Sequence, residues 1–449
     1  MRTFLLLSIA SLSVASFVVW KLQPPQTEDG KIVLTWVSDD NPARKAQAAL
    51  FEKLHPNIKV NIDPDNNGVE KVIVQCIAGV GPDVYDAYNG FQLSAYVKSG
   101  VAMDVTNELR QHGIDLKSQV FSGVLPMCVL DGRTYGVPTN VGADGIWYHA
   151  DLLRQAGVTL PKGPWKWDQF IPIAQKLTKR DSEGRITQYG FMFEWWNWRH
   201  FFCGYGANVF NASGTRCIID SPNAVAAIQT MYDLVYKYHV SPTPVEETSM
   251  AAEGGFGSGY ITLLAAKRGA MAVGGRWWLE QLRQTKGLQL GVIESPYGTL
   301  RESHTDGRGM LVNQHSNHLK EALELQRFLA SDAYCDLIND QADACAAFIK
   351  ADEKPSYFFN PKYPNERDNA VWLQILKMGV GDDISPFVDS STVTRLIQVQ
   401  LDLVQNGQKS PSAAMKSAAE NVNSAIEKAV AEDPSIAEKY RLALKGTPN

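Results

Sequence analysis

Three short stretches of this chain set indole rings beside groups that hydrogen-bond strongly. Trp36 is followed by Asp39 and Asp40, Glu194 opens the run Trp195, Trp196 and Trp198, and Arg276 precedes Trp277 and Trp278. The face of an indole suits a flat C–H surface such as a pyranose ring presents, and the hydroxyl rim of that ring wants carboxylates, amides or a guanidinium. Each stretch carries both halves of that requirement. Every one of these tryptophans is equally suited to filling a core, because large aromatics dominate burial. Two adjacent tryptophans in a strand point to opposite faces, so at least one of each pair is expected to meet a cleft or solvent.

Other chemistry is harder to support. The sequence has no Walker loop, no HExxH and no G-x-S-x-G elbow, and the run Gly254 to Gly259 follows no clear strand and reads as a loop. A glycosidase needs two carboxyls, about 5–5.5 Å apart to retain configuration or about 6.5–9.5 Å to invert it. Glu194 could be one member, but spacing along the chain identifies no second. Asp83, in a Gly-Pro-Asp turn, is expected to bind backbone amides instead. The six cysteines show no CxxC and no His-rich spacing, so neither a metal nor any other cofactor is expected.

The elements that must position these residues follow an α/β pattern. Ile32 to Val37 reads as a strand, Asn41 caps a helix with Pro42 in its first turn, and Lys59 to Ile62 is a second strand. A helix over Val69 to Ala78 and a strand over Asp83 to Tyr88 complete a βαβαβ order, which predicts a mostly parallel sheet. Ligands of such sheets bind beyond the carboxyl ends of the strands, here Trp36 to Asp40 and Asp86 to Gly90. The central stretch Gly132 to Leu153 passes from strand, through the small polar run Asn140, Gly142, Ala143, Asp144 and Gly145, into a second strand and a helix. That run suits an interdomain hinge or a surface loop. Further strands are expected at Ala270 to Val273, Leu288 to Ile293 and Met310 to Asn313. The last hundred or so residues read as mainly helical.

At 449 residues the chain is long enough for two domains, and 45% hydrophobic with 20% charged residues describes a globular protein. A net charge of −5 without a dense Lys/Arg run argues against nucleic acid or a polybasic membrane surface as partner. Arg2 followed by an apolar run from Phe4 to Trp20 falls short of the ~20 residues of a spanning helix. Residues 1–22 are therefore expected to be a secretory signal, with weak cleavage at Ser13-Val14-Ala15, or an uncleaved anchor, and the body is expected outside the cytoplasm. Disulfides are then permitted: Cys203 with Cys217 and Cys335 with Cys345 could clip local loops, or all six could be buried thiols.

Taken in order, a series of motifs resembles the extracellular solute-binding proteins of ABC importers, in particular the large carbohydrate-binding family that includes maltose-binding protein. The pieces are Ile32 to His55, GPDVYDAY (Gly81 to Tyr88), YVKSGVAMDVT (Tyr96 to Thr106), DGRTYGVP (Asp131 to Pro138) and IWYHADLLRQAGV (Ile146 to Val158). They continue with W-D-Q-F (Trp167 to Phe170), YGF (Tyr189 to Phe191), the turn Gly206 to Phe210, AM…GGRWW (Ala270 to Trp278) and EALELQRFLAS (Glu321 to Ser331). The resemblance implies a two-lobed α/β fold of the Venus-flytrap kind, with hinge strands between lobes formed by 31–138 plus 310–345 and by 139–309 plus 346–449. It implies that Asp39, Asp40, Asp86 and Asn89 face the cleft from the first lobe. Glu194 and Trp196 fall at sugar-contact positions of the second lobe, Trp277 at its stacking tryptophan, and Asn140 and Asp144 on the hinge side.

The implied activity is capture of a sugar by a monomer and its delivery to ABC permease subunits in the membrane. Two departures stand out. The family often has Gly-Pro-Trp where this chain has Gly275-Arg276-Trp277, and no lipid-anchor cysteine follows the signal. Arg276 could pair with an anionic group of an acidic glycan or hold a neighbouring acid. The rival readings are a binding protein for a polyamine, peptide or acidic metabolite, and a glycoside-active enzyme.

Overall fold

The computed structural model describes residues 27–28, 30–64, 68–250, 259–358, 360–363, 366 and 368–446. The expected signal or anchor over 1–22, and most of the glycine run 254–259, lie outside the described residues. Two sheets carry the architecture. The larger contains β1 (Thr27–Glu28), β2 (Lys31–Val37), β3 (Ile58–Asp63), β4 (Val84–Ala87), β5 (Gly136–Ala143), β9 (Ser303–Val312) and β10 (Gly379–Val380). The smaller places β6 (Gly145–His149) between β7 (Met271–Gly274) and β8 (Leu290–Ile293).

The βαβαβ order is present, with β2 parallel to both β3 and β4. The sheet as a whole is mixed, however, because β9 enters antiparallel to β4 on one side and to β5 on the other. The expected short strand at 310–313 is the last part of this ten-residue strand. Its far end pairs with β10, so β9 lies across the whole middle of the molecule. The chain leaves the larger sheet at the end of β5 and enters the smaller one at β6 with Asp144 alone between them.

Local chemistry explains the elements that frame this junction. Helix α1 (Pro42–Leu54) begins where Asn41 accepts a hydrogen bond from the Arg44 amide at 2.7 Å, with Pro42 at its first turn. Asp83 does bind backbone: its carboxylate accepts from the Thr35 amide at 2.8 Å and ties the start of β4 to β2. The aromatic run 191–200 is chiefly core. Phe191, Phe193, Trp195 and Trp198 are buried among Trp167, Phe170 and Phe201, with Trp167 stacked on Phe201 at 5.2 Å. Of the two readings open for the cysteines, the structure has the buried thiols: all six are free and buried, filling core space as small apolar side chains. Among the described residues no helix is long and apolar enough to cross a membrane.

Candidate ligand-binding site

A cavity of about 480 Å³ opens beside the larger sheet, walled on one side by that sheet and the turns beyond its strands and on the other by the turn 195–197 and the turn that follows β7. From the larger sheet come Asp39 and Asn41 beyond the end of β2, Tyr88 and Asn89 beyond β4, Asn140 on β5 and Arg308 on β9. Trp196 and Trp277 supply aromatic surface from the opposite side. The rule that ligands sit beyond the carboxyl ends of parallel strands thus locates the first wall.

How Trp277 reaches the cavity is written in the residues around it. After β7 the chain makes a 3-10 turn over Arg276–Trp278 and continues as a short helix, Leu279–Leu282. The two indoles stand nearly perpendicular, at 84°, with Trp278 fully buried and Trp277 at the cavity wall. Both rings lie back over the preceding glycines. A Cβ on Gly274 would meet the Trp278 ring at 2.3 Å and one on Gly275 would meet Trp277 at 2.5 Å, so the pair Gly274-Gly275 is what admits the pair of indoles. The other pair divides the same way, Trp195 buried and Trp196 49% exposed. Both pairs lie in 3-10 turns, so it is helical rather than strand geometry that splits them.

Of the residues proposed from sequence, Asp39, Asn89, Asn140, Trp196 and Trp277 line the cavity together. The others do not. Trp36 is 1% exposed, with its Nε1–H donating to Asp86 Oδ1 at 2.9 Å and the Arg44 guanidinium over its ring. Asp86 is buried beneath the cavity floor, accepting also from Ser38 Oγ at 2.6 Å. Burial pushes its carboxyl above the usual range, against the pull of Arg44 and Arg308. Asp40 turns outward to Lys45 at 2.8 Å. Asp144 lies behind Asn197, accepting from its amide at 3.2 Å, and burial raises it well above the ordinary carboxylate range. Glu194 is the N-cap of the 195–197 turn, its own amide donating to Asn197 Oδ1 at 3.3 Å, and is no part of the cavity wall.

Arg276 answers the question raised by its place in the motif. It is 2% exposed and donates to the carbonyls of Ala344 at 2.7 Å and Asn339 at 3.1 Å and to Asn369 Oδ1 at 3.1 Å. It is no part of the cavity wall and forms no ion pair with any described residue. It pins the Trp277 turn to the chain around residues 339–344.

Several cavity residues were not found in the sequence. Arg308 is clamped between Asp39 and Asp343, meeting the latter at 2.9 and 3.0 Å. Burial alone would raise Asp343, but Arg308, Arg44 and the Gln47 amide hold its carboxyl below the usual range. Tyr88 donates its hydroxyl to Asp39 at 2.9 Å. Asp382 receives Arg199 at 2.9 Å and meets the His304 ring at 3.2 Å; burial opposes its ionisation, and the Arg199 charge with the His304 hydrogen bond holds its carboxyl below the usual range. Glu280 is pushed up to about 7, first by burial and then by the Asp343 charge. The alternation His304, Asp306, Arg308 on one face of β9 was the available signal, since residues two apart in a strand share a side. Asp343 and Asp382 sit in no motif.

The bacterial extracellular solute-binding protein model matches residues 36–334. The chain belongs to that family. An uncharacterized ABC transporter extracellular-binding protein of Pyrococcus horikoshii is 26% identical over 159 residues, 34% of this chain and 35% of that protein, so the match spans about a third of that relative's length. A putative binding protein of Brucella abortus is 21% identical over 390 residues, covering 84% of this chain and 88% of its own. Among solved structures, an ABC substrate-binding protein from Listeria monocytogenes in complex with cycloalternan superposes with a TM-score of 0.75 at 22% identity, covering 88% of this chain and 98% of that one. This likeness shows the two-lobed α/β fold of a solute-binding protein, as the motif series implied. What the lining groups can do is bind: stacking surface, carboxylates and amides converge on one cavity beside the larger sheet.

Proposed function

We propose that this protein is the extracytoplasmic solute-binding component of an ABC importer, that it takes a saccharide into this cavity, and that it hands the loaded form to membrane permease subunits. The observation that carries this is the meeting of two accessible indoles, Trp196 and Trp277, with Asp39, Asn89 and Asn140 in one cavity. The Listeria protein that this chain resembles binds cycloalternan, which agrees with a saccharide-binding cavity. Asn140 is itself fixed in the wall, its Nδ2 donating to the Asp343 carbonyl and carboxylate at 3.2 Å.

The lobes are 31–138 with 310–345 and 139–309 with 346–449, and they close about β5, Asp144 and β9. Contacts made with both lobes at once exist only in the closed form, and closure shifts by that differential affinity. The protein acts as a monomer outside the cytoplasm, with residues 1–22 as signal or anchor, and performs no chemistry on its ligand. Glu194, the acid best suited by sequence to glycosidic cleavage, does not reach the cavity. Calorimetry and small-angle scattering against a saccharide panel test the proposal: at least one saccharide binds and contracts the scattering curve. A panel that leaves both signals flat, while a peptide or polyamine moves them, would sink it.

A further inference from the structure

The charges of the cavity narrow the ligand further, and this step rests on the saccharide reading above. Five carboxylates line the cavity, those of Asp39, Glu280, Asp306, Asp343 and Asp382, against the two guanidinium groups of Arg199 and Arg308. Both cations are already balanced. Arg308 lies between Asp39 and Asp343, and Arg199 pairs with Asp382 while its guanidinium sits 4.5 Å from the centre of the Trp198 ring. Arg44, behind the wall, adds a second cation to Asp343 at 3.2 Å, and His304 adds its ring to Asp382. Glu280 and Asp306 are left without a cation; neither forms a salt bridge with any described residue.

Glu280 is the more telling of the two. One of its carboxyl oxygens is fully buried with no hydrogen-bond partner, an arrangement costly enough to be rare. It stands three residues beyond Trp277, one helical turn along the same segment, and both side chains line the same cavity. A carboxylate without a cation on the same turn as an accessible indole is the chemistry that recognises an ammonium group: the acid supplies charge and hydrogen-bond acceptors, the ring face supplies cation–π attraction. An anionic guest finds no unbalanced cation in this wall and would carry its own desolvation cost unanswered. The buried Arg276 offers it nothing.

We propose that the ligand is a saccharide bearing a protonated amine, held with that amine at the Glu280 carboxylate beside Trp277, and that uronates and sulfated or phosphorylated sugars are rejected. The test is calorimetry at about pH 7, where the amines still carry most of their charge and Glu280 is substantially ionised, with sets of saccharides that share one ring and differ in one group: free amine, N-acetyl, hydroxyl and carboxylate. The sets cover the gluco, galacto and manno series as mono- and disaccharides, and spermidine is included. The expected result is an amino sugar bound at least about tenfold tighter than its N-acetyl and hydroxyl counterparts, with no uptake of the carboxylate. Glu280→Gln should weaken the amino sugar about tenfold, and by clearly more than it weakens the hydroxyl counterpart. A hydroxyl or carboxylate sugar that binds as tightly as the amine overturns this assignment and leaves saccharide capture standing. An amine preference that survives Glu280→Gln overturns the role of that carboxylate. Tight spermidine binding with no saccharide binding overturns the saccharide reading itself, and this inference with it.

Discussion

At the end of β2 the indole of Trp36 is buried and the acid that follows, Asp39, reaches the cavity; in the turn after β7 the guanidinium of Arg276 is buried and the indole that follows, Trp277, reaches the cavity. Both stretches join an aromatic ring to a charged group within a few residues, and they divide the labour in opposite ways. At β2 the ring anchors, through Trp36 Nε1 on Asp86 and Arg44 over its face. At β7 the charge anchors, through three hydrogen bonds to residues 339, 344 and 369. Residue type does not decide which member of such a pair meets the ligand. The neighbours that the fold brings to it do.

The comparison breaks most sharply on Trp36. Trp36→Ala empties a fully buried site and takes one of the two hydrogen bonds that Asp86 accepts, and should cost about 3–5 kcal/mol of stability in denaturant unfolding. A melting curve that matches the parent would mean that Trp36 is not an anchor. Arg276→Ala should follow with about 3 kcal/mol, because two buried carbonyls and an amide oxygen lose their donor. A variant of normal stability but altered ligand charge preference would return Arg276 to the site. Trp277→Ala should leave stability within about 1 kcal/mol, yet weaken the saccharide by about 1–3 kcal/mol in calorimetry. Unchanged affinity would remove the contrast between the two tryptophans.

The smallest expected effect concerns pH. Glu280 ionises near 7 in the folded chain against an ordinary 4.5, so the native state holds its proton more tightly than the unfolded one. Its contribution to stability is therefore present below about pH 4.5 and is lost as pH rises through about 7. Glu280→Gln should flatten the melting temperature across that window and raise it by a few degrees above pH 7. A Glu280→Gln variant that melts lower than the parent at pH 8 would contradict the unpaired state of that carboxyl.

Much of the frame was legible locally. Asn41-Pro42 starts a helix, the alternation of strands and helices up to residue 88 makes a parallel βαβαβ unit, and Asp83 binds the backbone amide of Thr35. Asp39, Asn89, Asn140, Trp196 and Trp277 were legible as cavity residues, and at two of them the chain itself sets the side chain's direction: Asn89 is the helix cap beyond β4, and two glycines admit Trp277. Asp86 and Asp144 were misplaced because they follow the same strand ends and hinge, yet turn beneath the cavity surface. Arg308, Asp343 and Asp382 were missed because nothing near them in sequence predicts which acids and bases will meet; Arg308 and Asp39 are 269 residues apart.

What the sequence determined by itself was the order of elements, the position of the crossing between sheets, and the supply of indoles and acids near it, because capping, strand period and glycine turns act over a few residues. Which of those indoles became core and which became wall was decided only in three dimensions. Whether a given acid keeps its charge was settled there too. Burial and ion pairing depend on partners drawn from distant parts of the chain, and those partners exist only once both sheets have come together.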